Sequence, residues 1–166
     1  MSKYAILSFF FLIVLGIPDG KSQTKAIKLI AQNMKAAPGK VVCMGIGSAD
    51  FNNMLSMQFT LEWNPEHLVF QEVNNFRLPY FSRDNFGAQF REQGKLTCVW
   101  IDNALEGITV QDGETLFDIC FTTSGIAGSE SPVFFSQNPT PFEAVNKAEE
   151  VLTIEGISGK IQIVNE

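Results

Sequence analysis

The chain has 166 residues and a formal net charge of −6, enough length for one domain with its own core. The acidic balance disfavours nucleic acid and anionic membrane as partners, since both are held through a surplus of Lys and Arg. Phe occurs 15 times against two Tyr and a single His, so the chain has many rings to pack and few groups that titrate near neutral pH.

The first element is apolar. Lys3 gives a positive start, and residues 5–17 (AILSFFFLIVLGI) form an apolar run that Pro18-Asp19-Gly20-Lys21-Ser22 breaks. A membrane-spanning helix needs roughly 20 apolar residues, so this run is short for one and has the form of a signal peptide over residues 1–22. The expectation is an exported domain over residues 23–166, free of the membrane once the signal is removed.

Beyond Gln23 the dominant period is two. Residues 26–32 are a first strand candidate. After the Pro38-Gly39 turn, Val42, Met44 and Ile46 alternate with Val41, Cys43 and Gly45. Leu55, Met57, Phe59, Leu61 and Trp63 then alternate with Ser56, Gln58, Thr60 and Glu62, which predicts a strand with one buried and one wet face. Asn64-Pro65-Glu66 closes it, and residues 68–73 form the next short candidate. Gly94 opens residues 95–102 (KLTCVWID), with Leu96, Cys98 and Trp100 in register on one side. Gln111-Asp112-Gly113 precedes residues 116–122 (LFDICFT), where Phe117, Ile119 and Phe121 oppose Asp118 and Cys120. Residues 132–136 and 160–164 complete the set. Only residues 147–151 (KAEEV) have helix-favouring composition, in a stretch too short for a helix. Closely spaced strands separated by Gly, Pro and Asn turns predict an all-β fold, an antiparallel sandwich of about nine strands.

Three cysteines in an export compartment are compatible with one disulfide plus one buried thiol, or with three buried thiols; spacing alone leaves both open. Nothing nominates a catalytic group. The sole histidine, His67, lies in the Asn64–Leu68 turn, with no Gly-x-Ser-x-Gly elbow, Cys-x-x-Cys pair or His-Glu-x-x-His helix beside it. Polar turns around Asp50, Asn52 and Asn53, and around Asp102, Asn103, Glu106, Asp112 and Glu114, lack the spacing of a helical calcium loop and are expected to be solvated. The expectation is therefore a non-enzymatic protein with no catalytic residue, metal or cofactor. Residues 74–90 gather Phe76, Tyr80, Phe81, Phe86 and Phe90 with Arg77, Arg83 and Asp84. Tyr80, Phe81, Arg83 and Asp84 suit a glycan-facing loop, through stacking and hydroxyl hydrogen bonds. Sugar platforms favour Trp and Tyr, whereas most of these rings are Phe, which favours packing along one edge of the sandwich.

The order of these motifs resembles a cohesin domain. Residues 37–42 (APGKVV) are similar to the Pro-Gly turn that leads into the second cohesin strand. Residues 57–68 (MQFTLEWNPEHL) resemble the third, an alternating run ending in an aromatic, an Asp-Pro-like turn and a Leu, with Asn64 where Asp is usual. Residues 95–102 resemble the sixth strand, residues 113–121 (GETLFDICF) the seventh, and residues 159–164 (GKIQIV) the last. The resemblance implies a nine-stranded antiparallel β-sandwich with jelly-roll-like topology, binding a partner through a flat sheet of the third, fifth, sixth and eighth strands. The usual partner is dockerin, a small calcium-loaded helical module. The outward positions of the mapped sheet are Ser56, Gln58, Thr60 and Glu62 on one strand, and Thr97, Val99 and Ile101 on another. Val99 and Ile101 beside Gln58 and Thr60 suit an apolar interface centre with a polar rim. The same mapping sets the second and seventh strands side by side in the opposite sheet, with Cys43 and Cys120 both pointing outward, which implies a cross-strand disulfide and leaves Cys98 inside. The function so implied is a secreted, non-catalytic binding module, extracellular or at the cell surface, for a dockerin-like or other cell-surface protein. The alternatives are a carbohydrate-binding module for polysaccharide on the same fold, and a structural or adhesive extracellular subunit.

Overall fold

The computed structural model describes residues 26–165; the N-terminal apolar run and the signal-peptide boundary lie outside the described residues. The strands are β1 (Ala26–Ala31), β2 (Met34–Ala36), β3 (Val41–Ala49), β4 (Met54–Trp63), β5 (Leu68–Asn74), β6 (Phe86–Gly87), β7 (Lys95–Ile101), β8 (Thr115–Thr123), β9 (Glu130–Ser136), β10 (Glu143–Asn146), β11 (Val151–Ile157) and β12 (Gly159–Ile163). Two single 3-10 turns, Arg83–Asn85 and Arg91–Gln93, are the only helical elements among the described residues.

The strands form two facing layers. One runs β11-β1-β3-β8-β5. The other is centred on β4, with β7 and then β6 on one flank. Along the other flank of β4, β10 pairs with its first half and β9 with its second, and β9 continues to β12 and β2. β11 belongs to both layers: Val151 and Leu152 pair with β10, and Thr153 onward runs beside β1. That crossover closes one side of the sandwich.

The all-β sandwich stands, with three differences from the expected strand set. Among the described residues there are twelve strands rather than about nine, the additions including β2, with three residues, and β6, with two. Two pairs, β1–β11 and β2–β12, are parallel. Residues 147–150 form the turn of a β10–β11 hairpin, and Val151 opens β11. Their helix-favouring composition is overridden by Asn146, whose Oδ1 accepts from the N–H groups of Ala148 (3.0 Å) and Glu150 (3.1 Å) and bends the chain back.

The core lies between the layers. Phe59, Trp100, Phe117 and Phe121 are fully buried, each at an inward position of an alternating strand. At one edge Phe81, Phe86 and Phe117 form a ring cluster with centroids 5.0–5.5 Å apart, joined by Phe76. The indole N–H of Trp100 donates to Pro79 O at 2.8 Å, which ties the loop carrying Phe81 onto the core. Cys43 on β3 and Cys120 on β8 are direct cross-strand partners and are joined by a disulfide. Cys98 is a buried free thiol, and burial pushes its pKa well up.

Candidate functional site

The outer face of the β6-β7-β4 layer is assembled by register. Ile101 lies opposite Ser56, Val99 opposite Gln58, Thr97 opposite Thr60, and Lys95 opposite Glu62. On the far flank of β4, Val145 and Glu143 of β10 extend the Ser56 and Gln58 rows, and Ser136 and Phe134 of β9 extend the Thr60 and Glu62 rows. Leu96, Cys98 and Trp100 point into the core, so Val99 and Ile101 are turned to solvent, 44% and 49% exposed. They form an aliphatic pair beside Ser56 and Gln58, and the partly exposed Val145 stands across Ser56 from Ile101, with Glu143 across Gln58 from Val99. Phe134, 37% exposed, stands at the other end beside the Glu62–Lys95 pair. Neither Phe134 nor Val145 was singled out in the sequence. Phe134 lies in a strand candidate where adjacent Phe134 and Phe135 leave the inward face undefined, and Val145 in a strand too short to show a period.

Thr60 differs from its expected role. By parity it faces outward, yet it is fully buried. The connection between β9 and β10, residues 137–142, crosses the face there. Thr60 Oγ1 accepts from Thr140 N–H at 3.1 Å and donates to Thr140 O at 3.2 Å. Lys95 Nζ binds Glu62 Oε1 at 3.0 Å and Asn138 O at 3.2 Å, fixing the other side of the same segment. The face is thereby divided into an aliphatic end and a Phe134 end. Thr60→Val keeps the shape but leaves both Thr140 backbone groups without their partner, so it should lower unfolding free energy by about 1–3 kcal/mol in denaturant titrations.

The residues suggested for glycan contact are dispersed. Phe81 is the clearest correction: it is turned inward, buried in the ring cluster with Phe76, Phe86 and Phe117, where its contact area stabilises more than exposure would. Arg83 donates from Nε to Val73 O at 3.2 Å and pairs with Glu72, so it is tied to β5 in the other layer. Tyr80, with a left-handed backbone (φ 57°), and Asp84 remain exposed.

Asp102 is a second correction. Instead of a solvated turn residue it is fully buried at the end of β7, its carboxylate accepting from the N–H groups of Ala104 (3.1 Å), Glu106 (3.0 Å) and Gly107 (2.9 Å). The Asp-Asn-x-x-x-Gly pattern is a signal of such a turn, but its burial depends on distant strands. At the same end of the sandwich a cleft of about 940 Å³ is lined by Lys28, Asp50, Asn52, Asn53, Lys147 and Glu150, with Lys28 and Asp50 paired at 3.4 Å. Among the described residues no group of three or more His, Cys, Asp or Glu is placed to hold a metal ion.

These features define an all-β sandwich that offers an open sheet face. The cohesin domain family matches residues 27–163, and the chain belongs to that family. The fold is similar to the OlpA cohesin of Clostridium thermocellum, solved in complex with the Doc918 dockerin, at 18% identity and a TM-score of 0.71, covering 84% of this chain and 100% of that one. It is also similar to the sixth cohesin of Acetivibrio cellulolyticus scaffoldin B, in complex with a Cel5 dockerin (16% identity, TM-score 0.71, 84% and 99% covered). A third similar structure is a non-cellulosomal cohesin from the archaeon Archaeoglobus fulgidus (15% identity, TM-score 0.65, 84% and 92% covered). No curated protein matches the sequence.

Proposed function

We propose that this chain is an exported, non-catalytic module that captures a calcium-loaded, dockerin-like helical protein on the aliphatic end of the β7-β4-β10 face. The observation that carries the reading is the outward pair Val99 and Ile101, exposed on a strand whose alternate residues are wholly committed to the core. An apolar centre with polar neighbours is the anatomy of a protein-binding patch. The similar cohesins solved with dockerins support the partner class. The apolar run ahead of residue 22 supports export, as does the Cys43–Cys120 disulfide, which suits an oxidising compartment. Phe81 is packed inward with Phe86 and Phe117, and Tyr80 is exposed without a second ring of the loop beside it, so the sheet face rather than the ring cluster is the proposed site.

The test is a pull-down from the source organism's secreted fraction on immobilised residues 23–166, with and without a calcium chelator. Recovery of a helical module with calcium-binding repeats, lost on chelation, is the expected result. Recovery of polysaccharide alone would move the assignment to sugar binding. Concentration-dependent self-association in light scattering, with nothing captured, would move it to a structural subunit. Secretion is checked separately, by finding the protein in the medium or on the cell surface with a new N-terminus near residue 23.

A further inference from the structure

The loop after β7 places an aliphatic residue where neither folding nor solvent favours it. Asp102 N–H donates to Leu55 O at 2.7 Å, extending the β7–β4 ladder past Ile101. The buried Asp102 carboxylate then gathers three loop N–H groups, and Asp102 O accepts from Leu105 N–H at 3.0 Å. Gly107 (φ 82°) seats the loop against the residue before β4 and the residue after β10: a Cβ there would meet Asn53 O and Lys147 Cβ at 3.2 Å. Within this frame Leu105 has φ 55° and is 63% exposed. A left-handed backbone disfavours any residue with a Cβ, and Gly or Asn would accept it more readily. A leucine in solvent contributes no burial in return. Strain of this kind persists where the surroundings over-determine it, and it concentrates at binding sites. The loop lies directly beyond the Val145–Ser56–Ile101 row, the outermost row of the aliphatic patch.

We propose that Leu105 is a preformed apolar knob that carries the docking face past the end of the sheet and enters a pocket between helices of the dockerin-like partner, and that Asp102 is its positioning residue. The inference rests on the docking reading above and makes that face a three-point aliphatic contact of Val99, Ile101 and Leu105. A rigid knob binds without the ordering cost a flexible loop would incur.

The experiment compares the mature chain with Leu105→Asn, Leu105→Met and Asp102→Asn. The probe is a calcium-loaded dockerin that the unaltered protein binds best within a panel of dockerin modules. Leu105→Asn should melt at the same or a higher temperature, because Asn accepts the left-handed backbone, yet bind roughly ten- to a hundredfold more weakly, through faster dissociation. Leu105→Met should restore most of the affinity. Asp102→Asn should weaken binding when Leu105 is present and change it little in the Leu105→Asn background, a coupling that general destabilisation would not produce. Unchanged binding by Leu105→Asn, or a melting temperature lowered by several degrees, would overturn the inference while leaving Val99 and Ile101 as the site. If no dockerin binds the unaltered protein, the docking reading falls and this inference with it.

Discussion

Val99→Glu and Ile101→Glu should each abolish partner capture while the protein stays folded. Both side chains project from β7 into solvent, opposite Gln58 and Ser56, so neither substitution opens a cavity or buries a charge in the free protein. Surface changes of this kind usually alter stability by no more than about 0.5 kcal/mol. In the complex the situation reverses. A carboxylate at the dry centre of an interface loses its hydration, which the neighbouring Gln58 or Ser56 replaces only in part, a loss of several kcal/mol and hence about a thousandfold or more in affinity. Calorimetric titration with a calcium-loaded dockerin, paired with thermal melting, reads both halves of the expectation. Val69→Glu is the control: Val69 is equally exposed but lies on β5 in the opposite layer, and the substitution should leave capture unaltered. Undiminished binding by the β7 variants would remove the aliphatic end from the interface.

How far the sequence foretold this arrangement depended on how local each determinant is. The strict alternation through Phe59, Leu61 and Trp63, and through Leu96, Cys98 and Trp100, already separates inward from outward residues. That period is a property of a single strand, and β4 and β7 follow it. Which outward residue stands beside which is a property of register, and register is non-local. Thr60 has the right parity and is nonetheless covered, because a segment nearly half the chain away hydrogen-bonds across it. Asp102 reads as one more polar turn residue until the β7–β4 ladder buries it. Phe81 lies in an aperiodic stretch, where no alternation marks which rings turn inward. The β10–β11 hairpin was illegible for the opposite reason: the local signal in Lys147-Ala148-Glu149-Glu150 points towards helix, and pairing with β4 and β1 outweighs it. The cysteine spacing left two outcomes open. The register of β3 against β8, in which Cys43 faces Cys120, is what brings those two sulfurs together and leaves Cys98 alone in the core.

Removing that disulfide, by Cys43→Ala with Cys120→Ala or by reduction, should cause the largest loss of stability among these changes. The bridge spans 77 residues of sequence. In the chain-entropy description, closing a loop of that length restricts the unfolded state by about 4.5 kcal/mol; Cys43 is exposed, and the buried Cys120 adds a packing loss of its own. The closed loop contains all of β4, β5, β6 and β7, so the constraint reaches the docking sheet although the sulfurs lie in the opposite one. The melting temperature should fall by roughly 10–20 °C, and capture should fail at temperatures where the oxidised protein still binds. Cys98 provides the internal comparison. Its buried thiol is protected in the native state, so the unfolded, unreduced protein should expose one alkylatable thiol. Three alkylatable thiols would reject the bridge. A single thiol with melting unchanged by reduction would show that the unfolded chain is already compact enough for the cross-link to restrict nothing.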